Sequence, residues 1–131
     1  KTPKNSQNQM IDITEILILQ GILNYPDKKD IILAALDISM FDLHKQEFEY
    51  LQKGDIQKLT SIIARTELKH LSLQEYKEQL AYFLRIFYKK QIDLIMNDEK
   101  KSFQDKATAK KEFIEIDRRL KIGSLIKFFK L

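Results

Sequence analysis

Residues 72–97 read SLQEYKEQLAYFLRIFYKKQIDLIMN, and their spacing predicts one long helix around which the rest of the chain is arranged. Ser72 and Glu75 have the spacing of a capping box, the clearest helix start in the chain. Apolar residues then recur at the helical period and form its main stripe: Tyr76, Leu80, Phe83, Leu84, Phe87, Leu94 and Ile95. Because Tyr82, Ile86 and Tyr88 add a second apolar side, we expect a central helix that is packed all round at mid-length, with Phe83 and Phe87 in the core.

A second strongly apolar helix is predicted towards the N-terminus, from about Asp12 to the residue before Pro26. Asp12 and Glu15 have a capping-box-like spacing at its start. Its apolar side chains cover most of its circumference: Ile13, Ile16, Leu17, Leu19, Ile22 and Leu23. A helix that is apolar on several sides has to be buried in the middle of a bundle.

Three shorter helices are predicted between these two, over residues 28–36, 43–53 and 56–66. The first two are joined by a connector that carries Ile38 and Phe41 as inward anchors. Gly54 ends the second as a C-cap glycine. The expected core-facing residues of the second and third are Leu43, Phe48, Leu51, Ile56, Leu59, Ile62 and Ile63.

The C-terminal quarter is predicted to form one more helix, from Ser102 to Lys121, followed by a short tail. Its apolar residues form a narrow seam, which suits packing against one neighbour in a helical hairpin: Ala109, Phe113, Ile116 and Leu120. The tail 125–131 reads LIKFFKL, and this many apolar groups at a chain end must dock either onto the bundle or onto a partner.

The composition favours an all-α fold. Among 131 residues there are only three glycines and two prolines, whereas a sheet-rich chain needs many turn residues. We therefore expect a helical bundle of five to six helices over residues 12–98, a flexible lead-in over 1–11, and a basic C-terminal helix and tail (helical hairpin) over 99–131. There is no cysteine and no apolar run that could span a membrane, and Lys1 at the start suggests a fragment of a longer polypeptide.

The net charge of +4 is concentrated near the C-terminus. Residues 99–131 contain ten Lys and Arg against five Asp and Glu, while residues 1–98 contain thirteen against fourteen. This asymmetry indicates an acidic partner surface or nucleic acid as the target of the C-terminal segment, or simply a solvated lysine-rich face.

No catalytic or metal-binding pattern is found in the sequence. Its two histidines, His44 and His70, are on different predicted elements and are expected at the surface or at helix ends. Metalloprotease, phosphate-loop and hydrolase motifs are missing, and most carboxylates have Lys or Arg three or four residues away. We predict a non-catalytic chain with no metal and no cofactor, which works by binding another macromolecule.

The pattern Glu15-x-x-x-Leu19-x-Gly21-x-Leu23-x-x-Pro26, then a short helix, Phe41 and Gly54-Asp55, resembles one family. It is similar to the helical bundle at the C-terminus of bacterial DNA primase, which binds the replicative helicase. The N-terminal domain of that helicase shares the bundle and a similar opening. The continuation into a basic helix and terminal tail favours the primase version, and because the tail is short, we expect the hairpin to be built partly from the end of the long helix.

The resemblance implies a function. The module would do no priming itself, although the full-length protein it resembles is a DNA-directed RNA polymerase. It would dock onto the N-terminal collar of the hexameric replicative DNA helicase, bring primase to the fork and modulate the helicase. It would be cytoplasmic, at the replisome, monomeric alone, without a membrane partner and at most a weak binder of nucleic acid.

We expect the main helicase-binding surface to lie in the C-terminal segment, where the positive charge and the apolar tail coincide. Its predicted residues are Arg118, Arg119, Lys127, Phe128, Phe129, Lys130 and Leu131. Three alternatives stay open at this point: an N-terminal oligomerisation domain of the helicase, a basic nucleic-acid-binding helical domain, and a generic helical bundle of another role. Self-association would indicate the first, and a steep salt dependence of nucleic-acid binding the second.

Overall fold

A computed structural model describes residues 3–65, 68 and 70–122 of the chain. These residues form six α-helices and no strand, which confirms the predicted all-α class. The helices are α1 (Pro3–Asn24), α2 (Lys29–Ala34), α3 (Lys45–Lys53), α4 (Thr60–Ile63), α5 (Leu73–Met96) and α6 (Phe103–Ile122). Short 3-10 turns precede α2, α3 and α4, at Pro26–Lys28, Ile38–Met40 and Ile56–Leu59.

The chain divides into two compact units, Lys1–Gln79 and Leu80–Leu131. The boundary lies inside α5, whereas the sequence pattern places a boundary after that helix, at residue 98. Helix α1 also begins at Pro3, nine residues before the predicted start near Asp12. Proline suits the first turn of a helix because its missing N–H has no partner there in any case, and the polar residues that follow do not break a helix.

The first unit has a core built around α1. Ile16, Ile18, Leu19 and Ile22 of this helix are buried, as expected for a helix in the middle of a bundle. The other fully buried side chains of the unit come from α2, α3, α4, the start of α5 and the segments before α3 and α4: Ile32, Phe41, Phe48, Leu51, Leu59, Ile62 and Tyr76. The rings of Phe41 and Phe48 stack with centroids 4.7 Å apart, so Phe41 is the inward anchor that the sequence predicts.

Several predicted core residues of this unit are exposed instead: Ile13, Ile38, Leu43, Ile56 and Ile63. The prediction of Ile38 as an inward anchor is wrong. Ile38 begins a 3-10 turn that has no buried residue, and only Phe41, directly after the turn, packs into the core. The prediction for Ile56 and Ile63 assumes one continuous helix. A 3-10 turn followed by a single α-turn replaces it, and only Leu59 and Ile62 reach the core.

Two residues of the quoted N-terminal motif have structural roles. The Glu15 side chain is only 2% exposed, and its carboxylate accepts backbone N–H groups of Asp42 (2.6 Å), Leu43 (3.0 Å) and His44 (2.9 Å). It thereby holds the segment that leads into α3. Gly21 lies against the buried ring of Tyr76, whose hydroxyl donates to the Ile18 carbonyl at 2.7 Å. Burial raises the pKa of this tyrosine hydroxyl.

The predicted helix ends are confirmed at the start of α5 and at the end of α3. Ser72 Oγ accepts the Glu75 N–H at 3.1 Å, and Glu75 Oε1 accepts the Ser72 N–H at 2.9 Å, which completes the capping box. Gly54 has the left-handed φ of 76° that favours glycine at a helix C-terminus.

Replacing Ser72 by alanine should therefore lower the free energy of unfolding by about 1 kcal/mol, the usual cost of losing an N-cap hydroxyl. The reason is that the Glu75 N–H then loses its protein acceptor. Chemical denaturation followed by circular dichroism measures the change. Ser61→Ala, at an exposed position within α4, serves as the control and should change little; equal stability of the Ser72 variant and the wild type would show that the cap contributes nothing.

The second unit contains the C-terminal part of α5 and α6, which are antiparallel and joined by residues 97–102. Arg85 Nε donates to Asp117 Oδ1 at 2.5 Å and ties the two helices together as a hairpin. The buried residues of the unit are Leu80, Phe83, Leu84, Ile92 and Leu120. Ala109, Phe113 and Ile116 are half-buried beside Leu120, so the predicted seam of α6 is its inner side.

The prediction that α5 is packed all round at mid-length is wrong. Tyr82 is 47% exposed, while Phe87 and Tyr88 are only half-buried, so Phe87 is not a core residue. Leu94 of the predicted stripe is 68% exposed, and Ile92 is buried in its place. Residues two positions apart in an α-helix lie on almost opposite sides of it. Tyr82 and Ile86 therefore face away from the buried Leu80 and Leu84.

Candidate partner-binding surface

The outer side of helix α6 is exposed to solvent between Lys110 and Arg118. Lys110, Lys111, Ile114 and Arg118 are all exposed, and their spacing of three to four residues places them on one side, opposite the buried Leu120. With Arg119, which is also exposed, these residues are termed the α6 surface. The α6 surface thus consists of one apolar side chain, that of Ile114, and four cationic side chains.

Ile114 is the apolar centre of the α6 surface, with its side chain 57% exposed. Phe103, at the first turn of the same helix, is 88% exposed, more than any other large apolar residue whose burial is described. Neither residue was predicted as part of the binding surface. The sequence does contain a signal for Ile114, because it is an apolar residue outside the seam defined by Ala109, Phe113, Ile116 and Leu120.

The two arginines of the α6 surface share one carboxylate. Arg118 donates from Nη2 to Glu115 Oε2 at 2.6 Å and from Nε to Glu115 Oε1 at 3.2 Å. Arg119 Nε donates to Glu115 Oε2 at 2.9 Å. The hydrogen bonds from Arg118 and then Arg119 lower the pKa of Glu115, and the bond to Glu115 raises the pKa of Arg118. The Glu115 carboxylate and the Arg118 guanidinium therefore stay charged over the physiological range.

Asp117, on the inner flank of the surface, forms an ion pair with Arg85 of α5. Its side chain is mostly buried, at 19% exposure, so its charge faces the hairpin and not the solvent. The described acids near the outer side are thus Glu112 and Glu115, against four cations. The outer side of α6 keeps a positive charge and is suited to an acidic partner surface.

Two of the seven residues predicted from the sequence are found on the α6 surface, Arg118 and Arg119. Lys127, Phe128, Phe129, Lys130 and Leu131 lie outside the described residues. The structure thus brings the predicted arginines together with Lys110, Lys111 and Ile114, which the prediction did not include.

The histidines occupy structural positions in the described part of the chain. His44 precedes α3, with Nε2 2.6 Å from Asp12 Oδ1, and Arg65 donates to the other oxygen of Asp12 at 3.2 Å. Burial opposes the ionisation of Asp12, but the hydrogen bonds and charges of His44 and Arg65 outweigh it and lower the Asp12 pKa. His70 Nδ1 lies 3.3 Å from the Asn24 amide.

A search of the described residues finds no group of His, Cys, Asp and Glu that could hold a metal ion. Among the helices of that same part of the chain, none is both long and apolar enough to cross a membrane.

Comparison with known protein families gives a match over most of the chain. A family model described as "DnaG-primase C-terminal, helicase-binding domain" matches residues 12–127, which include all of the α6 surface. No curated protein and no solved structure matches the chain significantly.

Proposed function

Because the chain belongs to the family of DnaG-primase C-terminal, helicase-binding domains, we propose that it recruits a primase to the replication fork by docking onto the hexameric replicative DNA helicase. The family is that of a non-catalytic interaction domain, and its partner is the replicative helicase. The match confirms the resemblance to the primase module. The site of action would be the cytoplasmic replisome, at the bacterial nucleoid.

The observation that carries this proposal is the α6 surface. Interface hot spots are enriched in arginine and combine a desolvated centre with surrounding groups that exclude water. Ile114 supplies an exposed apolar centre, and Arg118 lies one helical turn further along the same side. Charges around such a centre mainly accelerate encounter with an oppositely charged partner.

The finer features of the proposal concern geometry and stoichiometry. The chain would be a monomer by itself and would bind the N-terminal collar of the helicase. Residues 127–131 would complete the surface that begins at Arg118 and Arg119, while the bundle over residues 12–98 would modulate the helicase. A hexameric target offers several equivalent sites, so tethered contacts gain from a raised effective concentration.

The double variant Arg118→Ala/Arg119→Ala tests the proposed surface. We expect it to weaken helicase binding by roughly tenfold or more, because arginine is among the residues whose truncation costs most at interfaces. Association should slow and lose part of its salt dependence, since the removed charges steer encounter. Surface-immobilised helicase and kinetic binding measurements at several salt concentrations give both rates.

The matched control is Lys53→Ala/Lys58→Ala, which removes the same charge from the first unit. Both lysines are exposed and each pairs with one carboxylate on its own segment, at 3.8 Å to Glu49 and 3.3 Å to Asp55. This control should bind like the wild type.

A chain without residues 124–131 tests the rest of the surface and should bind much more weakly while keeping its helical circular dichroism. If the Arg118→Ala/Arg119→Ala variant and the truncated chain both bound as tightly as the wild type, the binding site would lie on the bundle instead.

A further inference from the structure

We propose that Glu115 is an internal competitor, which holds Arg118 and Arg119 in the free chain and is displaced by carboxylates of the partner. The inference rests on the proposed function of the α6 surface and specifies the chemistry of the partner: an acidic protein surface with at least two carboxylates. Its basis is that a single carboxylate, Glu115, occupies both exposed arginines of the surface.

The geometry leaves both arginines only partly satisfied. A guanidinium has five N–H donors and pairs best with a carboxylate of its own through two parallel hydrogen bonds. Arg118 uses two nitrogens on Glu115, but Arg119 uses only Nε on an oxygen that already accepts from Arg118. A partner that brings one carboxylate to each guanidinium offers more and better hydrogen bonds than Glu115 does.

Displacement of Glu115 is easy because its pairs are exposed. Exposed ion pairs in water shift an equilibrium by at most about fivefold. The Glu115 side chain is 46% exposed, so it can rotate away into solvent when the arginines turn to a partner. Its negative charge nevertheless stays close to the interface and repels the incoming carboxylates.

The competitor also disfavours nucleic acid as the occupant. Glu112 and Glu115 interrupt the cations of α6, and a phosphate chain would meet both acids along the same helix. A protein surface presents its carboxylates at discrete places, so these can lie away from Glu112 and Glu115. This difference explains how a surface of positive charge can select an acidic protein over a polyanion.

The experiment compares helicase binding by Glu115→Gln and Glu112→Gln at low and high salt. The two changes remove the same charge from the same helix, but Glu112 makes no ion pair with any described residue. We expect Glu115→Gln to bind about two- to fivefold more tightly than Glu112→Gln at low salt, which is the range of an exposed ion pair, and this advantage should shrink at high salt. Circular dichroism confirms that both remain helical.

A double-mutant cycle adds the decisive arm. In the Arg118→Ala/Arg119→Ala background, Glu115→Gln should no longer tighten binding beyond Glu112→Gln. Three results would each contradict the proposed role of Glu115: equal effects of Glu115→Gln and Glu112→Gln in the wild-type background, weaker binding by Glu115→Gln, or an advantage that persists without the arginines. Failure of the proposed function would give a different result, because the Arg118→Ala/Arg119→Ala variant would then bind the helicase like the wild type.

Discussion

Replacing Gly21 by alanine should lower the free energy of unfolding by about 3 kcal/mol, at the upper end of the cost of overpacking. A Cβ at this position would lie far inside van der Waals contact with the ring of Tyr76. That ring is fully buried and its hydroxyl is fixed to the Ile18 carbonyl, so it cannot move aside without losing a buried hydrogen bond. The clash exceeds the gain of about 1 kcal/mol from placing alanine in a helix.

Gly54→Ala is the matched control for this prediction. Its Cβ would meet nothing within 4 Å, so its cost is only that of a left-handed φ, about 1 kcal/mol. Tyr76→Leu should relieve the clash, so Gly21→Ala should cost much less in that background than in the wild type. Equal losses for the two glycine variants in urea denaturation would contradict the close packing of α1 against Tyr76.

Replacing Glu15 by alanine should cost about 2–3 kcal/mol of unfolding free energy. Three backbone N–H groups lose their acceptor together, and an unsatisfied buried donor costs about 1–3 kcal/mol. The total stays below three such costs because Asp42 and Leu43 are exposed and water can reach their amides. The same denaturation measurement gives the change.

Glu15→Gln distinguishes the hydrogen bonds from the packing of the side chain. Glutamine has nearly the same shape, but its amide nitrogen cannot accept, so at least one of the three N–H groups loses its partner. We expect a loss of about 1–2 kcal/mol. If Glu15→Gln were as stable as the wild type and Glu15→Ala were not, the side chain would act through packing alone.

The sequence predicts helix ends and buried stripes well where one local signal decides them. The capping box at Ser72 and Glu75, the C-cap at Gly54 and the seam of α6 depend on a few neighbouring residues, and the structure confirms each of them. The role of Glu15 is different. Its spacing suggests a cap for its own helix, but its carboxylate binds a segment 27 to 29 residues away, which no local pattern shows.

The sequence predicts less well which of two apolar sides of a helix is covered. Tyr82 and Phe87 are aromatic like Phe83, but only Phe83 is buried. The same limit applies to the binding surface. Arg118 and Arg119 follow from charge. Ile114 is marked in the sequence only as an apolar residue outside the predicted seam, and its exposure of 57% is seen only in the structure.

Hydrogen–deuterium exchange of the chain, alone and saturated with the hexameric replicative helicase, tests the central claim most directly. Amide protection is read segment by segment, so it locates the interface without any substitution. The proposed function predicts that the strongest new protection falls on α6, around Ile114 to Arg119. Binding of the helicase with unchanged exchange throughout α6, and protection confined to α1–α4, would contradict it.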